Sequence, residues 1–301
     1  MSLHSGIPDA IAADVRHGER LEWWTLLWIG SVVVVMALVM GASQAMKSAV
    51  IEDVLSLIPA IVFLLSAHWE RKRANARFPF GYRRANSLAF LVAATALLAV
   101  GGFLVYESIT TLVRQEHPTV GGITLFGHTV WLGWLMMAAL VYSIIPPVIL
   151  GHLKHPVAKR IDDKVLHTDA LMQKADWQTG VAAIAGIVGI GLGWWWADAT
   201  AALIIALSIV KDAVTAIEKA VAELLDGSPR ALDSKGLSND AERLIAALKE
   251  RFGDVEVRLR ETGRYIAAEV DCASPGVLPT DVELMGREKA WRLASLSFRP
   301  G

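Results

Sequence analysis

For the first three quarters of the chain, apolar residues run in long blocks separated by short charged segments. Six blocks approach the roughly 20 residues a helix needs to cross a bilayer. They fall near 24–43, 48–67, 88–113, 123–150, 166–194 and 197–216. The fifth is the least regular, since Asp169, Lys174 and Asp176 sit in its first third while Gly180 to Gly193 is clean. Past Asp226 the pattern changes. Gly227-Ser228-Pro229-Arg230 stops the sixth helix, and Asp240–Phe252 places Leu244, Ile245, Leu248 and Phe252 on one helical side. Val255–Arg260 alternates apolar and charged residues, and Tyr265–Val270 follows across Glu261-Thr262-Gly263-Arg264, which predicts a hairpin. A second helix is expected over Thr280–Glu288 and a last strand over Trp291–Phe298. The predicted fold is a membrane all-α bundle of six transmembrane helices over residues 1–226. A small cytoplasmic α/β domain follows over 227–301, in the order α-β-β-α-β, a ferredoxin-like two-layer arrangement.

Composition supports that reading: 54% of the 301 residues are hydrophobic and the excess is concentrated in the blocks. The net charge of −1 argues against a nucleic-acid binder, which depends on bulk positive charge. One cysteine, Cys272, allows neither an internal disulfide nor a thiolate metal cluster. No cleavable leader is expected, because the first twenty residues lack an apolar stretch.

Basic residues flanking the blocks give an orientation. Arg71, Lys72, Arg73, Arg77, Arg83 and Arg84 follow the second block; Lys154, Lys159, Arg160 and Lys164 follow the fourth; Arg16 and Arg20 precede the first. Only Lys47 and Arg114 lie on the other side, so both termini are expected to be cytoplasmic. Trp23, Trp24 and Trp28, then Trp131 and Trp134, then Trp194 to Trp196 read as interface anchors. Ala185, Gly189 and Gly193 repeat at i, i+4, a spacing that lets helices approach closely.

The chemistry lies in the carboxylates buried in these blocks, which are costly in hydrocarbon and persist where they face a bundle interior or an ion path. Glu52 and Ser56, and Met172 and Asp176, are each spaced i, i+4, so each pair points from one helix face. Asp53 is adjacent to Glu52 but about 100° around the helix. Proline 59 is expected to free the carbonyl of Leu55 beside Ser56, and Pro146 and Pro147 those of Tyr142 and Ser143. His167 and Asp169 lie near the cytoplasmic mouth, where they would receive an ion or support its ligands. Lys174 is expected to snorkel to the surface.

Several stretches resemble the cation diffusion facilitator family of divalent-metal exporters. Phe78-Pro-Phe-Gly-Tyr-Arg-Arg-Ala-Asn-Ser-Leu-Ala resembles the segment opening that family's third span, and Val105-Tyr-Glu-Ser-Ile its end. Asp169-Ala-Leu-Met-Gln-Lys-Ala-Asp-Trp-Gln-Thr is similar to the fifth-span motif, and Trp196-Ala-Asp-Ala-Thr-Ala-Ala-Leu to the start of the sixth. The resemblance implies a proton-coupled homodimer, with a metal site of two Asp on span two and His-x-x-x-Asp on span five. The matching positions here read Glu52, Ser56, Met172 and Asp176, so a His and an Asp are replaced. The loop site of zinc-carrying members is matched by Asn75, Phe78 and Tyr82, and the C-terminal segment has no histidine. Arg84 and Asp226 match positions that pair in relatives to tie the membrane dimer to the cytoplasmic domain. Glu107 and Asp198 match structural or exit-path acids.

The expected protein is therefore a non-enzymatic, multi-pass transporter in a bacterial inner membrane, working as a homodimer with divalent cations and protons as its partners. It needs no resident cofactor. The transported ion is zinc, iron, manganese or magnesium, since oxygen donors suit the harder ions while the Met172 thioether favours softer ones. The alternative is a non-transporting scaffold or sensor on the same fold. A hydrolase is excluded by the lack of any His-Glu-x-x-His or nucleophile–base motif.

Overall fold

The computed structural model describes residues 7–39, 51–115, 122–125, 128–234 and 236–299. The chain opens with α1 (Asp9–Val39). Helical residues 51–56 then pass through a turn at Leu57 into α2 (Ile58–Glu70). Helix α3 is Arg84–Arg114, and a short antiparallel pair follows, β1 (Gly122–Leu125) and β2 (His128–Trp131). Helices α4 (Leu132–Ile161), α5 (Lys164–Gly191) and α6 (Ala197–Leu224) complete the bundle. Four stretches among the described residues are long and apolar enough to span a bilayer: Ile51–Glu70, Arg84–Arg114, Met137–Ile161 and Ala199–Leu224. The end of the first expected span and the start of the second lie outside the described residues.

Helix α3 packs along α6 and α4 along α5, with α1 and α2 against them. The α4–α5 approach depends on Gly180, where a Cβ would lie 2.5 Å from Ile144 Cγ1. One apolar cluster gathers Leu21, Phe63, Phe90, Val157, Ile161 and Leu166, and a second gathers Leu97, Val100, Met172, Ala206 and Ile209.

The helix limits depart from the expected blocks for physical reasons. Helix α1 starts well before Trp24 because Ile11 and Val15 continue its apolar stripe onto the first cluster. The expected fourth span at 123 begins instead with strands, since Ile123, Thr124, Thr129 and Val130 are β-branched and favour extended backbone. Its other end runs past Leu150 to Ile161, because Val157, Ala158 and Ile161 are buried. Lys154 is therefore a buried residue of α4 and drops out of the cytoplasmic loop assigned to it. Helix α2 restarts at Ile58 with Pro59 in its first turn, where the missing N–H has no partner to lose.

After α6 the backbone turns at Asp226, with φ +60°, and leads into a small domain. Helix α7 (Asn239–Phe252) is capped by Ser238, whose Oγ accepts from Ala241 N at 3.2 Å, and has Asp240 and Glu242 at its positive end. Strands β3 (Val257–Thr262) and β4 (Tyr265–Val270) pair antiparallel, and β5 (Leu293–Phe298) pairs parallel to β4, giving the order β3-β4-β5. Between β4 and β5 lies α8 (Asp281–Met285), which opens with a Thr280–Glu283 capping box. It is shorter than the expected 280–288 because Gly286, at φ +74°, ends it. The three-stranded sheet buries Ile266, Val270 and Leu293 against Leu244, Leu248 and Leu284.

This domain docks on the bundle through the tip of its hairpin. Gly263 takes φ +60°, and a Cβ there would lie 2.7 Å from Arg83 O, so only glycine fits. Its N–H faces Ser87 Oγ at 3.0 Å and Glu223 Oε1 at 3.1 Å. Arg264, 2% exposed, reaches Asp163 Oδ2 at 2.6 Å and Glu70 Oε2 at 2.8 Å. Lys164 donates to Glu223 at 3.0 Å and to Glu261, and the fully buried Arg292 to Asp162 and Asp240 at 2.7 and 2.6 Å. The docked end therefore also holds the basic segments after α2 and α4.

Candidate functional site

The site begins where the helical residues 51–56 cross α5. Ser56 is fully buried, and its hydroxyl donates to Asp176 Oδ1 at 2.8 Å. One turn along each helix, Thr179 Oγ1 faces Glu52 Oε1 at 3.4 Å. The i, i+4 spacing is what aligns them: Glu52 above Ser56 on one helix faces Asp176 beside Thr179 on the other. The cluster thus offers two carboxylates and two hydroxyls, an all-oxygen set of the kind hard divalent cations prefer. Among the described residues, no three His, Cys, Asp or Glu side chains are gathered closely enough to form a ready-made metal cluster. Each acid meets a hydroxyl of the facing helix, and the Thr179 hydroxyl also lies 3.1 and 3.0 Å from the Ala175 and Asp176 carbonyls of its own helix.

Thr179 was not singled out from the sequence. Its signal was there: it lies three residues after Asp176, on the same face. Asp53 takes no hydrogen bond from the cluster among the described contacts and is partly buried beside it. Met172 is 0% exposed and packs in the apolar cluster with Leu97, Val100 and Ile209, with Leu55 and Ile58 also against it. The structure therefore places it among hydrocarbon, one turn before Asp176. Tyr82 accepts from Asn75 Nδ2 at 2.9 Å and stacks on Phe78, so the three loop positions form a local turn.

Asp169 is fully buried and bonded by Lys154, which also donates to Glu22 Oε2 at 2.8 Å and Thr25 Oγ1 at 2.5 Å. This Glu22–Lys154–Asp169 triad joins α1, α4 and α5 and fixes Asp169 as part of a salt bridge. Burial of such a triad is costly, so its members are held by mutual contacts rather than by water. Sequence reading missed it because Glu22 and Lys154 lie far apart in the chain, each beside a boundary where charge is common. His167 is 9% exposed, 3.8 Å from Asp233, with its ring 5.5 Å from that of His155. Lys174 is exposed. Arg84 is bonded to Asp226, both about half exposed, and Arg260 Nη1 lies 3.7 Å from the same carboxylate.

Residues 24–225 match the cation efflux transmembrane domain. The chain is similar to the cadmium, cobalt and zinc/H(+)-K(+) antiporter of Bacillus subtilis, at 27% identity over 61% of this chain and 54% of that one. It is 29% identical to the zinc transporter ZitB of Escherichia coli over 64% of this chain and 54% of that one. A probable cation efflux system protein of Mycobacterium tuberculosis is 27% identical over 84% of this chain and 72% of its own length. The chain thus spans about half the length of the antiporter and of ZitB. With that match covering more than half of the chain, the chain belongs to the cation diffusion facilitator family, as a divergent member.

Proposed function

We propose that the protein moves a divalent metal cation out of the cytoplasm in exchange for protons, by alternating access. Residues 1–226 would form six spans in a bacterial inner membrane and 227–301 a cytoplasmic domain, with both termini cytoplasmic and the homodimer as the working unit. The single observation that carries this reading is the Glu52–Ser56–Asp176–Thr179 oxygen cluster in the bundle interior, which has no part in the ion-pair network of the docked end. A cation would replace the Ser56 proton as Asp176's partner, with the hydroxyl turning a lone pair toward the ion. Protons reaching the two carboxylates would discharge it, since a neutral acid holds a cation weakly.

The names of relatives lend support: one is called a zinc/H(+)-K(+) antiporter and another a zinc transporter. In this chain Met172 would form a wall of the pathway, and Asp53 would lend charge from the side. Asp169 and His167 would shape the cytoplasmic approach, and the Arg84–Asp226 pair would hold the domain to the bundle. The test is metal-driven proton movement in inverted vesicles loaded with a pH-sensitive dye, run metal by metal. A dye response to at least one divalent ion that Asp176→Asn abolishes is the expected result. Intact dimers with no response to any ion would favour the scaffold alternative.

A further inference from the structure

A cavity of about 650 Å³ lies between α4, α5 and α6 at the end of the bundle that carries the small domain. Its charge is one-sided: Lys174, Lys211 and Lys219 line it against Asp212 and Asp233, while Lys164, also on the wall, is held by Glu223 and Glu261. Asp233 is already engaged by Lys159 Nζ at 2.9 Å. Lys219 donates to Ala231 O and Leu232 O at 2.9 and 2.6 Å, which leaves one of its three donors for a guest. The buried Nδ1 of His167, also on the wall, has no hydrogen-bond partner. A pocket so charged invites an anion.

Two features decide which anion. Trp177 and Phe90 are on the wall, so the pocket is amphipathic. The helices beside it present exposed Ile149 and Leu153 on α4, and Leu207 and Val214 on α6, which are surfaces for acyl chains. Basic pockets between membrane helices on the cytoplasmic side suit anionic lipid headgroups. We propose that this cavity binds the phosphate headgroup of an anionic phospholipid, with its chains running out over α4 and α6. The lipid would neutralise the lysines beside α5, the helix that carries Asp176. The proposal rests on the transporter reading only for which leaflet the cavity faces.

The test uses full-length protein in detergent and measures the melting temperature as dioleoyl phosphatidylglycerol, phosphatidylcholine or inorganic phosphate is added. Phosphatidylglycerol should raise it, and the other two should not. The double variant Lys174→Gln, Lys211→Gln alters two exposed side chains and should weaken the apparent phosphatidylglycerol affinity about tenfold or more. The double variant Lys249→Gln, Arg251→Gln, on exposed positions of α7, should respond like wild type. Three results overturn the proposal: an equal response to phosphatidylcholine, an undiminished response in the first variant, or inorganic phosphate matching the lipid, which would assign the pocket to a soluble anion. Because the measurement is binding in detergent, it succeeds or fails independently of any transport result.

Discussion

The hydroxyl of Ser56 donates a 2.8 Å hydrogen bond to Asp176 Oδ1, joining residues that are 120 positions apart. This bond and the Glu52–Thr179 contact are the polar link between the helical segment before α2 and the middle of α5. An acid held by a hydroxyl is at once satisfied and exchangeable. In the proposed cycle a divalent cation would displace that bond.

Asp176→Asn should abolish transport while leaving expression and dimer formation near wild type, because it removes charge but little volume. Ser56→Ala removes only a supporting partner and should reduce transport about tenfold to a hundredfold. Vesicle flux over a range of metal concentrations checks both. Full flux by the Asn variant would remove Asp176 from the pathway.

Glu52→Gln should be nearly as damaging as the Asp176 change, and Asp53→Asn milder. Glu52 faces Thr179 on α5, whereas Asp53 takes no hydrogen bond there. A more harmful Asp53 change in the same flux assay would mean that residues 51–56 present the other face.

The shared face of Glu52 and Ser56 was legible because a helix turns spacing into a face, whereas Met172, spaced the same way from Asp176, packs among Leu97, Val100 and Ile209. The first hairpin strand and α7 of the small domain were legible for the same reason: the alternation of Val257 and Leu259 with Arg258 and Arg260, and the stripe Leu244, Leu248, Phe252, follow the burial. Long-range charge pairing was not legible. Glu22, Lys154 and Asp169 carry no local pattern that announces a partner, and Lys154 beside Lys159 and Arg160 reads as one more loop charge. Gly263-Arg264 read as an ordinary hairpin turn, since its partners Asp163, Glu70 and Glu223 come from three other segments.

Lys154→Met should lower stability by about 3–5 kcal/mol, because it leaves the Glu22 and Asp169 carboxylates buried without a cation. Neutralising all three together, with Glu22→Gln and Asp169→Asn, should recover much of the loss. Melting of the detergent-solubilised protein reads both effects. Equal destabilisation by the single and triple variants would show that the packing, and not the charge balance, carries the cost.

Arg264→Ala should likewise cost about 3–5 kcal/mol, with the loss located where the small domain meets the bundle. Protease accessibility of the 227–239 segment should rise in step. Gly263→Ala should loosen the same contact without touching a charge, since the new Cβ meets Arg83 O at 2.7 Å. Wild-type protection in both variants would mean that docking rests on Arg292 and Lys164 instead.

Burial pushes the Glu261 carboxyl up to about 7, against an ordinary value of 4.5, even with Lys164 beside it. The folded protein then holds this proton more tightly than the unfolded chain does. Its contribution is full below about 4.5 and is lost as pH rises through 7. Wild-type melting temperature should therefore fall between pH 5 and 8 more steeply than that of Glu261→Gln. Identical slopes would show that Lys164 and Arg292 keep the carboxylate ionised throughout.

Selectivity should follow the donor set. Glu52, Ser56, Asp176 and Thr179 supply oxygen only, and Met172 is turned into the apolar cluster with Leu97 and Ile209. Zinc gains most from imidazole, whereas manganese and magnesium lose little by its absence. Ser56→Asp with Met172→His should therefore raise the zinc-to-manganese transport ratio. The new imidazole would lie one turn from Asp176, in the cluster against which Leu55 of the segment before α2 and Ile58 of α2 pack. The histidine replaces a buried thioether with a polar ring, so the double variant should also melt earlier without metal and recover when zinc is added. Competitive flux of zinc against manganese, iron and magnesium, with melting measured in parallel, separates the two effects. An unchanged ratio alongside restored melting would show that the ring binds zinc but that selectivity is set before the ion reaches Asp176.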